Sequence, residues 1–391
     1  MFSITKYIIM WAGFWKLEIE ENLKLPYKIW QLYMMCLYVL ITVGVTGNVI
    51  YVFLYDPARI IEAIGVAISD YTCILKMLLC VKPKTTQLLQ IAVQDDEILS
   101  SEDPTLNQML GSHKKSVSMI GLFIVTYTYS FCSHMCIYGG LVQYRSYQMK
   151  FPNATEKPEY ILSMWFPFNV QNHFDLALFL QCFVLVQGCA GNFASLVYIN
   201  TMMSYAVIKL KMLKYYFKNF DRFPQEIHSK DPASRNRMAV KNLEKLIKKH
   251  QFIIRFITDL NECMRTALLI EYSLSSLMLA SIISQIMNSN RIEIFIPYAM
   301  VLIFQLFLLS WKAEEIKTQS GDIAFAIYEC DWYNYNAKVG KLIFMIVMRA
   351  RRELTLNIGP FGPNNIDAAK ARMRLAYSYL SVISGNTRNN N

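Results

Sequence analysis

The residue types that most often carry catalysis form no catalytic arrangement in this chain of 391 residues. No two of the five histidines have the spacing of metal ligands. Seven of the nine cysteines fall inside or at the ends of apolar runs, where they are expected to be small buried hydrophobic residues. The sequence also lacks a glycine-rich phosphate loop and a nucleophile elbow. We therefore expect neither an enzyme nor a bound metal or cofactor.

The composition indicates a chain that is partly in membrane lipid and partly in water. Hydrophobic residues make up 54% of it, with a mean hydropathy of +0.25, whereas soluble domains contain about 45–50% apolar residues. Charged residues make up 17% and are gathered into a few segments. The formal net charge is +10, but the basic residues lie between long apolar runs and no separate domain presents them. We expect contact with membrane lipid and no nucleic-acid partner.

Long charge-free runs predict an all-α membrane protein. A helix needs about 20 apolar residues to cross the hydrocarbon core. Five such runs are evident, at residues 29–55, 116–144, 176–208, 272–290 and 294–311. Two weaker runs occur at 60–81, which contains charged residues, and at 365–384, which is polar in its first half. The sequence therefore predicts seven transmembrane helices. An apolar stretch at 7–15 is expected at the membrane interface, with Trp11 and Trp15 at headgroup depth.

Lysine and arginine are distributed unequally between alternating loops, and this predicts the orientation. With a cytosolic N-terminus, the inside segments contain four before residue 29, four in 82–115, fourteen in 209–265 and ten in 312–374, or 32 in all. The outside segments contain six. The N-terminus is therefore predicted to be cytosolic and the C-terminus extracellular. The sequon at Asn153 falls in a predicted outside loop and is a candidate glycosylation site.

Two charged segments are predicted to form a cytosolic layer of helices. In residues 209–265 apolar residues recur at helical spacing, which predicts extensions of spans four and five that turn near Pro224 and Pro232. Residues 337–352 have the same amphipathic pattern and are predicted to form an anchor helix that joins subunits. A basic amphipathic helix is also typical of a calmodulin target, so that partner stays open.

Three segments of the last quarter resemble the insect odorant receptor family. Residues 320–333 read SGDIAFAIYECDWY, similar to the family's serine, Ala-x-Tyr run, acidic residue and Asp-Trp-Tyr. Residues 345–365, MIVMRARRELTLNIGPFGPNN, look like its apolar helix followed by a Gly-x-Phe linker. Residues 375–383, LAYSYLSVI, are similar to the Ser-Tyr signature of its last helix. The remainder of the chain agrees only in span count, topology and loop lengths.

The resemblance implies one tetrameric channel subunit over residues 1–391, assembled with the co-receptor subunit of odorant receptors. It places the chain in the plasma membrane of olfactory sensory neurons. It also implies that the last helix, 365–385, lines a cation pore whose hydrophobic gate is Val382, with Ser378, Tyr379 and Ser381 beside it. The composition agrees, because a helix this polar must face protein or water at membrane depth.

The odorant pocket carries no family motif, so its position is inferred from depth alone. A volatile ligand needs an apolar, partly aromatic cavity with a few polar groups. We expect it in the outer halves of the first six spans, residues 29–311. The candidate residues at helix-compatible spacing are Ile64, Ile68, Tyr71, Tyr129, Ser133, Cys136, His173, Phe174, Leu178 and Tyr298.

Two alternatives remain at this point. A gustatory receptor that forms a homotetrameric channel has the same architecture, but its last span ends in Gln-Phe, which this sequence lacks after Tyr379. A G-protein-coupled receptor also has seven spans, but the charge distribution predicts the opposite orientation, and no Asp-Arg-Tyr or Asn-Pro-x-x-Tyr sequence is present.

Overall fold

A computed structural model describes residues 2–17, 21–55, 60–98, 103–141, 145, 164–168, 173–220, 232–288 and 292–389. Within these ranges the chain forms ten α-helices, and its only β-pairing is a single bridge between Asn357 and Pro363. The expected all-helical class is confirmed. The helices are α1 (Phe2–Trp11), α2 (Glu21–Tyr55), α3 (Ile60–Cys80), α4 (Pro83–Ile98), α5 (Pro104–His134), α6 (Phe174–Lys218), α7 (Pro232–Asn288), α8 (Ile292–Tyr328), α9 (Ala337–Ala350) and α10 (Ile366–Asn389).

Six of the described helices are long and apolar enough to cross a membrane, namely α2, α3, α5, α6, α7 and α8. They correspond to the first six predicted spans, and the charged residues of α3 do not remove it from the set. The seventh predicted span folds as α10, whose 24 residues correspond to about 36 Å of helix. Helix α10 is too polar to join the set, so its role as a span stays a prediction.

Helix α6 lies at the centre of the molecule. Every residue from 193 to 208 is buried, and the most extensive contacts of α6 are with α8. Met202, Met203 and Leu210 are completely shielded from solvent. A helix that is apolar on all sides is stable only when other helices surround it, because any exposed face would leave apolar area in water.

Ion pairs join the C-terminal parts of α6 and α8. Lys211 pairs with Glu315 at 2.6 Å, and Lys214 pairs with Asp322 at 3.0 Å. Further along, a pair 2.8 Å apart joins Lys218 to Glu329. These pairs are partly exposed, so each stabilises the fold by about 1 kcal/mol or less. Their main effect is to fix the register of α6 and α8, which run parallel to each other.

His250 is buried in the charged N-terminal part of α7, before the apolar run of that helix begins. Its side chain is 5% exposed, and its ring meets that of Phe217 edge-on with centroids 6.2 Å apart. Burial, and secondarily the positive charge of Arg349, lowers the pKa of His250 from 6.5 to about 4. The imidazole is therefore neutral at pH 7 and packs as an aromatic residue.

Helix α9 begins at a capping residue and is amphipathic. The side chain of Asn336 accepts a hydrogen bond from the backbone N–H of Val339 at 3.1 Å, which satisfies one of the free donors of the first turn. Its buried face consists of Val339, Ile343, Ile346 and Ala350. On the opposite face Phe344, Met345 and Met348 are all more than half exposed.

The N-terminal segment packs into the bundle. The Thr5 and Thr201 hydroxyls are hydrogen-bonded at 2.9 Å, and the rings of Phe2 and Tyr205 lie 6.3 Å apart. Trp15 is only 3% exposed and packs within the protein, whereas Trp11 is 39% exposed; the headgroup depth expected for both rings stays a prediction. Helix α1 covers α6, whose apolar surface extends to this side of the bundle.

Candidate functional site

A cavity of about 150 Å³ lies between the C-terminal parts of α2 and α5 and the N-terminal parts of α3, α6 and α8. We call this end of the bundle the cavity half. The apolar lining residues are Ile41, Val45, Val66, Phe131, Met135, Met164, Val184, Leu185, Phe193, Tyr298, Val301 and Leu302. The lining also includes Ser69, Asp70, Cys73, Gly188, Cys189 and Asn192. A small cavity with such walls is suited to an apolar ligand that carries one polar group.

Helix α5 changes its winding beside the cavity. Helix α5 ends at His134, and the chain continues directly as a π-helical turn, Met135–Gly139. A π-turn inserts an extra residue into the helix and rotates the following side chains, and such turns are common at functional sites. Met135 is buried and faces the cavity, whereas Ser133, two residues earlier, is exposed.

Two glycines of α6 have opposite surroundings. A β-carbon added to Gly191 would lie 2.6 Å from the Tyr38 hydroxyl and 3.0 Å from the sulfur of Met77. At Gly191, helix α6 therefore approaches α2 and α3 too closely to leave room for a side chain. One turn earlier, a β-carbon on Gly188 would meet no described atom within 4 Å. Gly188 thus leaves open space at the cavity wall.

Aromatic rings form one side of the cavity. Phe131 and Tyr298 are stacked, with centroids 6.1 Å apart and an angle of 24° between the rings. The Tyr298 hydroxyl donates a hydrogen bond to the Ser69 hydroxyl at 3.4 Å. This contact joins α8 to α3 across the cavity.

The carboxyl group of Asp70 is poorly satisfied. Its Oδ2 atom is shielded from solvent and has no hydrogen-bond partner among the described residues. Thr42 lies beside the carboxyl group, but its hydroxyl hydrogen can serve one acceptor only, and the backbone carbonyl of Tyr38 is 2.8 Å away. A buried polar atom without a partner costs about 1–3 kcal/mol, and more for a charged group.

A buried ion pair lies about two turns further along α3. Lys76 and Glu271 are 2.8 Å apart, and each side chain is 8% exposed. The Lys76 ammonium also donates a hydrogen bond to the side-chain oxygen of Asn192, which lines the cavity. The pair joins α3 to α7. Loss of either partner would leave the other charge buried without compensation, which would destabilise the fold.

The predicted odorant-binding residues are only partly brought together. Tyr298 lines the cavity, and Ile68 packs on the main core beside it. Tyr71 is 45% exposed, and its hydroxyl lies 2.6 Å from that of Thr46. Tyr129 is in a separate groove of about 400 Å³, where its ring meets Trp11 edge-on.

The other predicted residues lie around the cavity half without lining the cavity. Ile64, Ser133 and His173 are exposed, while Cys136 and Leu178 are half-buried and Phe174 is buried. Sequence reasoning missed Asp70, Met135, Gly188 and Asn192. Asp70 was detectable, because an ionisable residue inside an apolar span is by default a functional candidate.

Helix α10 presents the predicted pore residues. Ala369 and Ala376 are buried against the bundle, whereas Tyr377, Ser378 and Ser381 are exposed. The Ser381 hydroxyl donates to the backbone carbonyl of Ser378 at 2.8 Å. The side chains of Tyr379 and Val382 and the whole of Asn153 lie outside the described residues.

Comparison with known families gives one extensive match. A family model described as "7tm Odorant receptor" matches residues 56–377, more than four fifths of the chain. That match includes five of the six apolar spans in full and the first half of α10.

Similar sequences occur in flies and mosquitoes. "Odorant receptor 10" of Aedes albopictus is 23% identical over 213 residues, which cover 54% of this chain and 55% of that protein. "Odorant receptor Or2" of Anopheles gambiae is 24% identical over 216 residues, 54% of this chain and 56% of that one. The match spans about half the length of these relatives.

Solved structures share the fold. The insect olfactory receptor OR5 from Machilis hrabei superposes with a TM-score of 0.80 over 97% of this chain and 96% of that one, at 13% identity. The same receptor in complex with eugenol gives a TM-score of 0.78 at the same coverage and identity.

Proposed function

This chain belongs to the insect odorant receptor family, and from that membership we propose that it is the odorant-binding subunit of a ligand-gated, non-selective cation channel. It is a multi-pass membrane receptor and not an enzyme. The observation that carries the proposal is the mostly apolar cavity of about 150 Å³ among its membrane-crossing helices. A volatile organic molecule fits there because binding removes its apolar surface from water.

The proposed orientation places the N-terminus in the cytosol and the cavity half outside. The support is the excess of lysine and arginine in 82–115, 209–265 and 312–374. In this orientation residues 209–265 and the anchor helix 337–352 form the cytosolic layer, and an odorant reaches its cavity from the outer leaflet or the extracellular side. The cell membrane of olfactory sensory neurons is the proposed location.

The proposed assembly is a tetramer with the co-receptor subunit. Two surfaces of the single chain support it. The apolar face of α9 leaves Phe344, Met345 and Met348 exposed, and such a face is typical of a subunit interface. The polar face of α10, with Ser378 and Ser381, is unsuited to lipid and suited to a shared aqueous pore.

The proposed gate is Val382, with Tyr379 nearby on α10. A ring of valines closes a pore by excluding water, and it opens when the helices move apart. The odorant drives that movement only if it binds the open conformation more tightly than the closed one. The related Machilis receptor was solved with eugenol, which supports a small organic molecule as the ligand class.

Voltage-clamp recording from cells that express this chain together with the co-receptor tests the proposal. Volatile compounds are expected to evoke an inward current that neither subunit gives alone with these ligands. Val382→Ala is expected to raise the current without ligand, while Ser384→Ala on the same helix serves as a control. Silence toward a broad panel of volatiles, with normal delivery to the cell surface, would contradict the channel role. An active receptor with an unchanged Val382→Ala variant would remove Val382 from the gate.

A further inference from the structure

Resting on the proposed function, the inference concerns the chemical class of the ligand. We propose that the cavity selects small volatile amines, whose ammonium group pairs with the carboxylate of Asp70. The remaining surface of such a ligand is a hydrocarbon that fills the apolar part of the cavity.

The first argument is the position of Asp70. It lines a cavity whose walls are otherwise mostly aliphatic and aromatic, and its Oδ2 atom has no hydrogen-bond partner among the described residues. A ligand N–H that reaches this carboxyl group replaces a missing hydrogen bond. Charge-assisted hydrogen bonds of this kind are shorter and about twice as strong as neutral ones.

The second argument is the balance of charge around the cavity. Lys76 is the nearest cation along α3, but it is held by Glu271 at 2.8 Å and by the side chain of Asn192. With Asp70 ionised, these three groups carry a net charge of −1. A bound ammonium makes the sum zero. An alcohol can donate one hydrogen bond to the carboxylate but leaves its charge uncompensated in a medium of low polarity, and a hydrocarbon supplies neither a donor nor a charge.

The third argument is the shape and chemistry of the walls. The stacked rings of Phe131 and Tyr298 lie on the cavity, and Phe193 is also part of its lining. The faces of aromatic rings attract cations, so they complement an ammonium group as well as a hydrocarbon. A mostly apolar cavity of about 150 Å³ accommodates a molecule of about benzene's size.

Three compounds that share a six-membered ring test whether the cavity recognises the amine or only the hydrocarbon part of the ligand. Cyclohexylamine, cyclohexanol and methylcyclohexane are applied to cells that co-express the chain and the co-receptor. We expect cyclohexylamine to activate at a concentration at least tenfold below that of cyclohexanol, with methylcyclohexane weaker still. Asp70→Asn is expected to raise the half-maximal concentration for cyclohexylamine by about ten- to a hundredfold and so to remove the preference.

Asp175→Asn is the matched control. Asp175 is an exposed carboxylate in the first turn of α6, at the same end of the bundle. Its neutralisation is expected to leave the amine-to-alcohol ratio within threefold of the wild-type value. Surface biotinylation verifies delivery, and Asp70→Ser replaces Asp70→Asn if the latter does not reach the surface.

Thermal unfolding of the purified, detergent-solubilised chain gives a readout that does not need a working channel. Cyclohexylamine is expected to raise the melting temperature of the wild type and not of Asp70→Asn. If this holds while no volatile evokes current, amine binding stands and the channel role fails. If neutral compounds evoke current as strongly as the amine, or Asp70→Asn leaves the amine response unchanged, amine selection is overturned and the channel role stands. Absence of both current and stabilisation overturns both.

Discussion

The cavity half of the bundle and the opposite half are built from the same kind of helix but are packed differently. In the cavity half, α2, α3, α5, α6 and α8 surround a space of about 150 Å³, and a glycine at 188 adds to it. In the opposite half, α6 is buried on all sides, and ion pairs hold it against α8. We call this second region the solid half.

The difference in packing places most of the stability in the solid half and ligand binding in the cavity half. A close-packed interior resists changes of even one methylene group, so the solid half keeps its shape. A region with fewer internal contacts opens at a lower cost in free energy, and binding sites are drawn from such regions. A ligand that fills the cavity therefore adds contacts to side chains that face open space, which lets it shift a conformational equilibrium.

The largest expected effect is at the ion pair that borders the cavity half. Lys76→Met leaves Glu271 buried without a cation and is expected to lower the free energy of unfolding by about 3–5 kcal/mol. Thermal unfolding followed by size-exclusion chromatography measures the loss. The double variant Lys76→Met with Glu271→Leu is the control and is expected to recover most of it. If Lys76→Met alone were as stable as the double variant, the charge of Glu271 would not depend on Lys76 for its stabilisation.

Two methionines test the packing difference directly. Met202→Ala in the solid half removes a side chain that is completely buried and is expected to cost about 3 kcal/mol of unfolding free energy. Met135→Ala is expected to cost less than half as much, because one side of Met135 already faces open space and makes fewer contacts. Denaturant unfolding of the two variants gives the comparison. Equal losses would remove the distinction between the halves.

Because of His250, the free energy of unfolding is expected to fall as the pH falls. Its pKa is about 4 in the folded state and 6.5 when unperturbed. As the pH falls below 6.5, the unfolded chain binds a proton that the folded chain refuses, so stability present at pH 7 is lost between pH 6.5 and pH 4. At pH 5 the expected loss is about 2 kcal/mol.

Melting temperatures of the wild type and of His250→Gln over pH 5–7 test this expectation. The variant is expected to lose less stability than the wild type across that interval. His173→Gln, a change at an exposed histidine, is expected to keep the wild-type dependence. Parallel pH profiles of wild type and His250→Gln would show that His250 is not the titrating group.

The smallest expected effect uses the two glycines of α6. Gly188→Ala meets open space and replaces a poor helix former, so it is expected to stabilise the fold by about 0.5–1 kcal/mol while narrowing the cavity. Gly191→Ala is the matched control and is expected to destabilise, because its β-carbon would lie 2.6 Å from the Tyr38 hydroxyl. Melting temperatures that move in the same direction for both variants would contradict this account.

Much of the fold was predictable because its causes are local in the sequence. The runs at 29–55 and 294–311 are long and apolar enough to define helices without any knowledge of their neighbours. The cavity was harder to predict because uniformly apolar helices do not reveal which side faces inward. Ser133 was expected at the site and is exposed, whereas Met135, two residues later on the π-turn, faces the cavity.

Tyr298, which was expected at the odorant site, lines the cavity, and its depth and aromatic character are both visible in the sequence. Its contact with an odorant stays a prediction. Asp70 was counted only as a charge that weakens a span, although its type and depth were equally visible. Its significance emerges from the structure, where Lys76, the nearest cation along α3, is already paired with Glu271.

The sequence by itself determined the family, the all-helical class and the six apolar spans, because each depends on residue types at short spacing along the chain. Tertiary structure alone decided which side chains share the cavity, that the Oδ2 atom of Asp70 has no hydrogen-bond partner among the described residues, and which half is solid. The physical reason is that these properties depend on helix rotation and on contacts between residues more than a hundred positions apart, such as Lys76 and Glu271.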